Sequence, residues 1–254
     1  MITEKQIVSN LKKINIKEKY IIIHSDITGL LFKNFSLNKL WKIIFNSFGK
    51  NKTYIFPTLT LKNSKNIWHY SKTKSQSGIL SEFFRKEIAT RRTIHPIHSI
   101  SIFGKDEFKV PDHNSNSSFG RGSTWEWICN SKDVCNIGLG LNLHGGGTFC
   151  HYAEEKLKVN YRKYKKIKVK VKDNQNNFVR KNFTYFSRNS KFKNLTNDWK
   201  ICEKDLIKSK LIKQFIFKQN GFNVTKMNTY NVTKFIMKKI RHNNYYLTNK
   251  NLSN

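Results

Sequence analysis

The sequence has no long hydrophobic run. Near the N-terminus the longest is Ile21-Ile22-Ile23, far short of the roughly 18 apolar residues that a membrane span needs. No secretory hydrophobic region precedes it. The four cysteines are Cys129, Cys135, Cys150 and Cys202. They show no C-x-x-C spacing, so they indicate neither a zinc knuckle nor a disulfide framework. These absences predict a soluble cytoplasmic protein with reduced cysteines and no membrane span.

Acidic residues are scarce, since 16 Asp and Glu stand against 48 Lys and Arg and the formal net charge is +32 in 254 residues. The chain is nevertheless 38% hydrophobic and has 19 Phe, 10 Tyr and 5 Trp, so the charge does not indicate disorder. Residues 101–150 carry a net charge of −1, whereas residues 151–254 carry +20. Because Lys is accompanied throughout by abundant Asn, Ile and Phe, we expect much of the charge on solvated faces. A polybasic binding surface is the alternative.

Short apolar strands alternate with amphipathic helices, which predicts a three-layer α/β/α fold around a central mixed sheet. The predicted strands cover residues 20–24, 53–56, 100–103 and 134–139, and the predicted helices begin near residues 3, 36, 77 and 124. Residues 60–77 form a long polar excursion that we expect to border a site. We divide the chain into a core of residues 1–170 and a C-terminal extension of residues 171–254 that packs on the same domain.

The predicted C-terminal extension contains a small β-hairpin and two helices. Lysines alternate with apolar residues over residues 166–172, which predicts a half-buried strand; residues 173–177 form a turn, and residues 178–186 return as the second strand. The two helices are predicted around residues 204–217 and 231–240.

Four of the eight histidines lie in three polar segments marked by glycine or proline. The segments are His24-Ser25-Asp26-Ile27-Thr28-Gly29, then Arg92-Thr93-Ile94-His95-Pro96-Ile97-His98-Ser99, then Gly145-Gly146-Gly147-Thr148-Phe149-Cys150-His151-Tyr152-Ala153-Glu154. The first and third follow predicted strands, and ligand crevices of open α/β sheets form at strand ends.

The third segment predicts a glycine loop that enters a helix, with Thr148 as a candidate N-cap. His151 and Glu154 are three residues apart and therefore share a helix face, where the carboxylate can hold the imidazole as a proton acceptor. The adjacent Cys150 points to another face, so we interpret it as core packing. A metal site built from His95, His98 and His151 is disfavoured, because no carboxylate or thiol joins them at ligand spacing. We therefore expect no metal.

Taken together, the segments resemble the aminoglycoside 3-N-acetyltransferase family, whose members transfer acetyl from acetyl-CoA to an amine. The resembling elements, in family order, are His24-Ser25-Asp26 with Thr28-Gly29; Pro57-Thr58-Leu59-Thr60; Ser75, Gly78, Leu80, Glu82 and Arg85; Arg92 through Ser99; Phe119 through Glu126; and Thr148 through Glu154. They span roughly residues 1–170. Where the family has Ser, Ser, Thr and Pro, this chain has Asp26, Thr93, Ile97 and Thr124.

The resemblance implies direct acyl transfer in a ternary complex. His151 is then the general base and Glu154 its orienting partner, while the Thr148 hydroxyl or a nearby backbone N–H stabilises the thioester oxyanion. The residues implied to hold acetyl-CoA are His24, Ser25, Asp26, Thr28, Gly29, Arg92, His98 and Ser99. Asp26 is the departure that bears on this site, because a carboxylate is unfavourable near CoA phosphates.

The charge bears on the acceptor. Aminoglycosides are polycations, which a protein at +32 repels at a distance, whereas acetyl-CoA and nucleotide-linked amino sugars are anionic. We therefore expect an amino-sugar acceptor, in a protein that serves polysaccharide biosynthesis, and keep an aminoglycoside acceptor, with antibiotic resistance, as the alternative. A non-enzymatic protein that binds nucleic acid or anionic membrane is a further alternative, with Tyr161, Tyr164, Phe183, Tyr185 and Phe186 as stacking candidates. No recognised nucleic-acid motif accompanies them, so no nucleic-acid partner is expected. A homodimer is left open.

Overall fold

The computed structural model describes residues 2–30, 35–60, 67–114, 116–172 and 177–252. Their strands are β1 (Tyr20–Ser25), β2 (Thr53–Pro57), β3 (Ile67–His69), β4 (Arg91–Arg92), β5 (Ile100–Gly104), β6 (Val134–Leu139), β7 (Arg162–Lys172), β8 (Phe178–Arg188), β9 (Ile212–Ile216) and β10 (Asn223–Asn228). The helices are α1 (Glu4–Lys12), α2 (Leu37–Phe48), α3 (Ile79–Phe83, continued by a π-helical turn at Phe84–Ile88), α4 (Thr124–Asn130), α5 (Leu143–Gly146), α6 (Phe149–Lys156), α7 (Lys200–Lys208) and α8 (Thr229–His242).

Seven strands form the central sheet in the order β4-β5-β2-β1-β6-β10-β9. The central trio β2, β1 and β6 is parallel, and the flanking strands pair antiparallel, so the sheet is mixed as predicted. Alternate residues of β1 supply opposite cores: Ile22 packs with α4, α6 and α8, and Ile21 packs with α1 and α2. Helices therefore cover both faces of the sheet, and the predicted three-layer α/β/α fold is confirmed.

Local signals fixed several element ends. The Thr3 side chain and the Gln6 side chain form the capping box that opens α1, and Ser36 caps α2. The prediction that the three glycines form a loop is wrong for two of them, because Gly145 and Gly146 belong to the short helix α5. The Asn142 side chain accepts a hydrogen bond from Gly145 N and caps that helix.

The C-terminal residues complete the central sheet. Strands β9 and β10 form one end of it, and the predicted boundary between residues 170 and 171 lies inside β7. The predicted helix over residues 204–217 is wrong in its second half: α7 ends at Lys208, Lys210 takes a left-handed φ of 58°, and Ile212–Ile216 pairs with β10. The predicted second helix is confirmed as α8.

Strands β3, β7 and β8 form a separate three-stranded sheet. The predicted hairpin is confirmed, with β7 and β8 paired from Arg162 opposite Arg188 to Lys172 opposite Phe178. Residues 173–176 of its predicted turn, and residues 61–66 of the predicted excursion at 60–77, lie outside the described residues.

Candidate active site

A cleft of about 420 Å³ opens at the carboxyl ends of the parallel strands β1, β2 and β6. The central strand β1 pairs in parallel with β2 on one side and with β6 on the other. Open α/β sheets bind their ligands in the crevice outside the carboxyl ends of such strands. The predicted site residues that line it are His24, Ser25, Asp26, Thr28 and Thr148, joined by Pro57, Leu59, Ser77, Gly78, Leu141 and Gly145. Gly29 lines an adjoining cleft of about 290 Å³, which Asp26 and Thr28 share. Two of the three predicted segments therefore meet in one place.

Two buried polar atoms of β1 border the cleft without a hydrogen-bond partner among the described residues. They are Nε2 of His24 and Oγ of Ser25. Burial lowers the pKa of His24 to about 4, so its imidazole is neutral at physiological pH. A ligand with amide or carbonyl groups would satisfy both atoms, and unsatisfied buried polar groups of this kind often mark a ligand position.

Asp26 lies at the exposed mouth of the cleft. Its carboxylate accepts hydrogen bonds from the hydroxyl and from the backbone N–H of Thr28, and both bonds hold its pKa below the ordinary value. The carboxylate is therefore ionised at neutral pH.

His151 and Glu154 form the predicted pair on α6. Nδ1 of His151 lies 2.6 Å from Oε2 of Glu154, and the Glu154 side chain is wholly buried while the His151 side chain is 22% exposed. The short bond indicates that Nδ1 carries the proton, which leaves Nε2 as the basic nitrogen. No hydrogen bond to Nε2 comes from the part of the chain that the structure describes.

Two further residues hold Glu154. The Tyr161 hydroxyl donates to Oε1 at 2.9 Å, and Nε of Arg162 lies 2.8 Å from Oε2. Burial alone would raise the pKa of Glu154, but His151, Arg162 and Tyr161 outweigh it and keep the pKa below the ordinary value. Sequence reasoning missed both partners, and the signal available was that a buried carboxylate requires them.

The surroundings of His151 favour its neutral form. Burial lowers the pKa of His151, the charges of Arg162 and Arg188 add to this, and Glu154 opposes it only in part. Two aromatic rings flank the imidazole, with the Trp199 centroid at 5.4 Å and the Phe119 centroid at 6.4 Å. Nothing in the sequence pattern points to Trp199, which lies at the N-terminal end of α7. Neutral His151 is thus a ready proton acceptor.

Thr148 connects the cleft to this pair, because it lines the cleft and lies one helical turn before His151. It occupies the predicted N-cap position of α6, but its side chain makes no capping bond, since its backbone is already helical. Among the described residues its hydroxyl has no partner, so it is free to donate. Cys150 is fully buried, and burial raises the pKa of its thiol well above the ordinary range, in line with a packing role.

His98 lies on the His151 side of the site and does not line the cleft. Its Nδ1 lies 2.7 Å from the Ser118 hydroxyl, and its ring centroid is 4.9 Å from that of Phe119. Burial lowers the pKa of His98 well below the ordinary value, and His95 and His151 contribute to this.

Arg92 and Ser99 are brought to a different place. The Arg92 guanidinium is buried, donates to the carbonyls of Tyr70, Thr73 and Thr58, and stacks 4.8 Å from the Trp68 ring. The Ser99 hydroxyl donates to Thr58 O at 2.8 Å. These bonds tie Thr58, Tyr70 and Thr73 to the sheet, so the donors of Arg92 are already used by the protein.

The basic C-terminal part does not present the aromatic surface that the nucleic-acid alternative requires. Tyr161, Phe183 and Phe186 are buried, Tyr185 is half-buried, and Tyr164 alone of these five is exposed. Among the described residues, no helix is long and apolar enough to cross a membrane. Within the same residues, no group of three or more His, Cys, Asp or Glu side chains is arranged to hold a metal ion.

A family model described as aminoglycoside 3-N-acetyltransferase matches residues 22–218. The chain belongs to this family. The predicted family and the predicted class of enzyme, an acetyl-CoA-dependent N-acetyltransferase, are thereby confirmed. No match was found among curated proteins.

Solved structures share the fold at low sequence identity. The YokD protein from Bacillus subtilis is 16% identical, covers 95% of this chain and 94% of its own, and superposes with a TM-score of 0.77. The aminoglycoside acetyltransferase AAC(3)-Xa gives 11% identity, 95% and 93% coverage and a TM-score of 0.80. AAC-IIIb, solved as a binary complex with CoASH, gives 14% identity, 95% and 97% coverage and a TM-score of 0.76. The α/β/α fold is therefore the fold of the family.

Proposed function

We propose that the protein transfers acetyl from acetyl-CoA to an amino group of an amino sugar, with His151 as the general base. The observation that carries this proposal is the 2.6 Å bond from His151 Nδ1 to the buried Glu154, beside the cleft at the ends of β1, β2 and β6. An imidazole held in this way keeps a free Nε2 and is neutral at physiological pH.

The cleft fits the donor. The pantetheine arm of CoA carries two amides, and the unpartnered His24 Nε2 and Ser25 Oγ are polar groups that can bind them. Thr28 and Gly29 line the mouth, where the phosphates would lie. A solved neighbour, AAC-IIIb, was crystallised with CoASH, which supports the same class of donor here.

The reaction follows from the free Nε2. The acceptor nitrogen attacks the thioester carbonyl carbon, a C–N bond forms, and His151 Nε2 takes the proton that the nitrogen loses. When the C–S bond breaks, the CoA thiolate leaves and the imidazolium returns the proton to it. Glu154 stabilises the imidazolium, and general-base catalysis of this kind contributes about 10²–10⁴ in rate. Positioning of both substrates supplies a further part.

Thr148 is the proposed oxyanion donor. Its hydroxyl lies at the boundary between the cleft and the His151–Glu154 pair and has no other partner among the described residues. A donor aimed at the developing oxyanion lowers the barrier more than it stabilises the ground state.

The charge around His151 supports an anionic amino sugar as acceptor. Arg162 and Arg188 both act on the imidazole, and the chain as a whole carries +32. Such a field attracts sugars linked to phosphate or nucleotide and repels polycations. Amino sugars of this kind are building blocks of surface polysaccharides, which gives the enzyme a biosynthetic role in the cytoplasm.

An aminoglycoside acceptor is the second candidate. The family membership favours it, and one solved neighbour, AAC-VIa, was crystallised with sisomicin. Its binding here would require local carboxylates to outweigh the general positive field.

An acceptor panel separates the two. Purified protein with acetyl-CoA is assayed for thiol release with UDP-linked amino sugars, free amino sugars and aminoglycosides, at low and at high salt. We expect turnover with the nucleotide-linked sugars, with kcat/KM falling as salt rises because screening weakens the attraction. Turnover with aminoglycosides alone would overturn the amino-sugar proposal.

A further inference from the structure

We propose that Arg188 binds an anionic group, phosphoryl or carboxylate, on the acceptor and so selects acidic amino sugars. This inference rests on the proposed function, because it assigns a specificity residue to the same site. It concerns the last residue of β8, a position that none of the sequence motifs covers.

The hairpin places two arginines side by side at its base. Arg162 begins β7 and lies directly opposite Arg188 in the antiparallel register, so both side chains are on one face of the hairpin. The Asn197 side-chain oxygen accepts from both, at 3.0 Å from Arg162 Nη2 and 3.5 Å from Arg188 Nη2. Asn197 therefore ties the two guanidinium groups into one cluster.

The two arginines differ in what balances their charge. The Arg162 side chain is only 8% exposed and forms an ion pair with Glu154 at 2.8 Å. Arg188 is exposed, and no carboxylate of the described residues lies within ion-pair distance of it. One guanidinium thus completes the buried network, and the other presents an unbalanced positive charge to solvent beside it.

Arg188 is linked to the reacting centre by contacts: Asn197 joins it to Arg162, and Arg162 pairs with the Glu154 carboxylate that bonds His151. Its charge and that of Arg162 both reach His151, which also faces Glu154 on α6 and His98 on the neighbouring loop. Arg188 is also absent from the residues that line the cleft assigned to CoA. Its position suits the substrate that approaches His151 from the other side.

The chemistry of the guanidinium selects the ligand class. Its planar N–H donors match two oxygens of a phosphoryl or carboxylate group, which a point-like ammonium cannot do. An acceptor whose anionic group binds at Arg188 would present its amine toward His151, and an acceptor without that group would lose this contact.

The binding test titrates inorganic pyrophosphate and malonate, as probes, into the CoA-saturated protein and measures their binding by calorimetry. The variant is Arg188→Gln, and the matched control is Arg180→Gln, an exposed arginine on the same strand roughly 26 Å away at about 3.3 Å per residue. We expect at least one probe to bind wild type and the control equally, and Arg188→Gln at least tenfold more weakly. The probe that binds more tightly tells phosphoryl from carboxylate recognition. Equal binding to all three proteins, or displacement of CoA by the probe, would overturn the inference.

An NMR titration and kinetics complete the test. Loss of the Arg188 charge should raise the pKa of His151 in Arg188→Gln and leave it unchanged in Arg180→Gln. With an acidic amino sugar, KM should rise about tenfold at nearly constant kcat, whereas KM for the neutral sugar should not change. Because probe binding requires no turnover, a protein that binds the probe through Arg188 yet acetylates no amino sugar refutes the proposed function alone.

Discussion

Glu154 has no contact with solvent, and its three partners decide what His151 can do. The carboxylate accepts from His151 and Tyr161 and pairs with the buried Arg162. It therefore sets the tautomer of the imidazole and also balances a guanidinium that has left water. If His151 is the general base, as we propose, a substitution of Glu154 should affect both catalysis and stability.

Glu154→Gln is expected to lower kcat/KM by about 10²–10⁴, because an amide can donate to Nδ1 and thereby leave the proton on Nε2. The unfolding free energy should fall by about 3–5 kcal/mol, since buried Arg162 loses its counter-ion. Steady-state kinetics and urea unfolding measure the two effects. Glu155→Gln is the matched control on the next residue, and its kcat/KM should stay within about threefold. Equal activity of the two variants would contradict the role of Glu154.

Asp26 places an ionised carboxylate at the mouth of the cleft, where the resembling family members carry Ser. Asp26→Ser should therefore lower KM for acetyl-CoA by about two- to fivefold at low salt, since one repulsion with the phosphates is removed. The gain should shrink at high salt, because the carboxylate is exposed. KM measured at both ionic strengths checks this. An unchanged or higher KM at low salt would mean that the carboxylate does not face the donor.

Residue types and spacing predicted part of the site. His151 and Glu154 follow from helical periodicity, and the structure brings them together at hydrogen-bond distance. Tyr161 and Arg162 could not be paired with Glu154, because the chain leaves α6 before it returns along β7. Arg92 was predicted to hold CoA, but the sequence does not reveal that backbone carbonyls already occupy its donors.

At the scale of elements, one glycine lets the backbone come close at the ends of three strands. Gly140 follows β6 at φ 69°, its N–H donates to Asn223 O, and a Cβ there would lie 2.0 Å from Asp26 O. Only glycine allows this approach between the β6 end, the Asp26 turn and the start of β10.

Gly140→Ala should lower the unfolding free energy by at least about 3 kcal/mol, because left-handed strain adds to a backbone clash. Gly221→Ala is the control: its φ is 70°, but a Cβ there meets no atom within 4 Å. It should cost only about 1 kcal/mol. Urea unfolding of both variants gives the comparison, and similar losses would show that the close approach at Gly140 is not what matters.

Strand β9 shows why one element was misassigned. Ile207, Leu211 and Phe215 repeat at four-residue intervals, which fits a helix as well as two shorter elements. Residues 212–216 form a strand because they pair with β10, and the periodicity of a single segment does not reveal a pairing with another element. The Asn220-Gly221 pair between the two strands was the local hairpin signal available.

At the scale of the whole molecule, the residues that carry the positive charge are not the residues that build the core. The cores above and below the sheet are apolar, and the lysine row of β7 lies on the solvent side of its hairpin. The C-terminal residues are nevertheless structural, because β9, β10 and α8 complete the sheet and one of its layers. The sequence pattern predicted the three layers. It did not predict that strands from both ends of the chain join one sheet, because that depends on pairing between residues far apart in the sequence.

The claim that His151 is the general base is tested most directly by kcat/KM for acetyl transfer between pH 5 and 9, in wild type and His151→Ala, with CoA binding measured alongside. Burial and Arg162 lower the pKa of His151, so the wild-type rate should be full at pH 7 and fall as the pH drops through a midpoint below 6.5. His151→Ala should lose about 10²–10⁴ in rate, lose that acid limb and still bind CoA. Full activity in the variant, or an unchanged acid limb, would contradict the account.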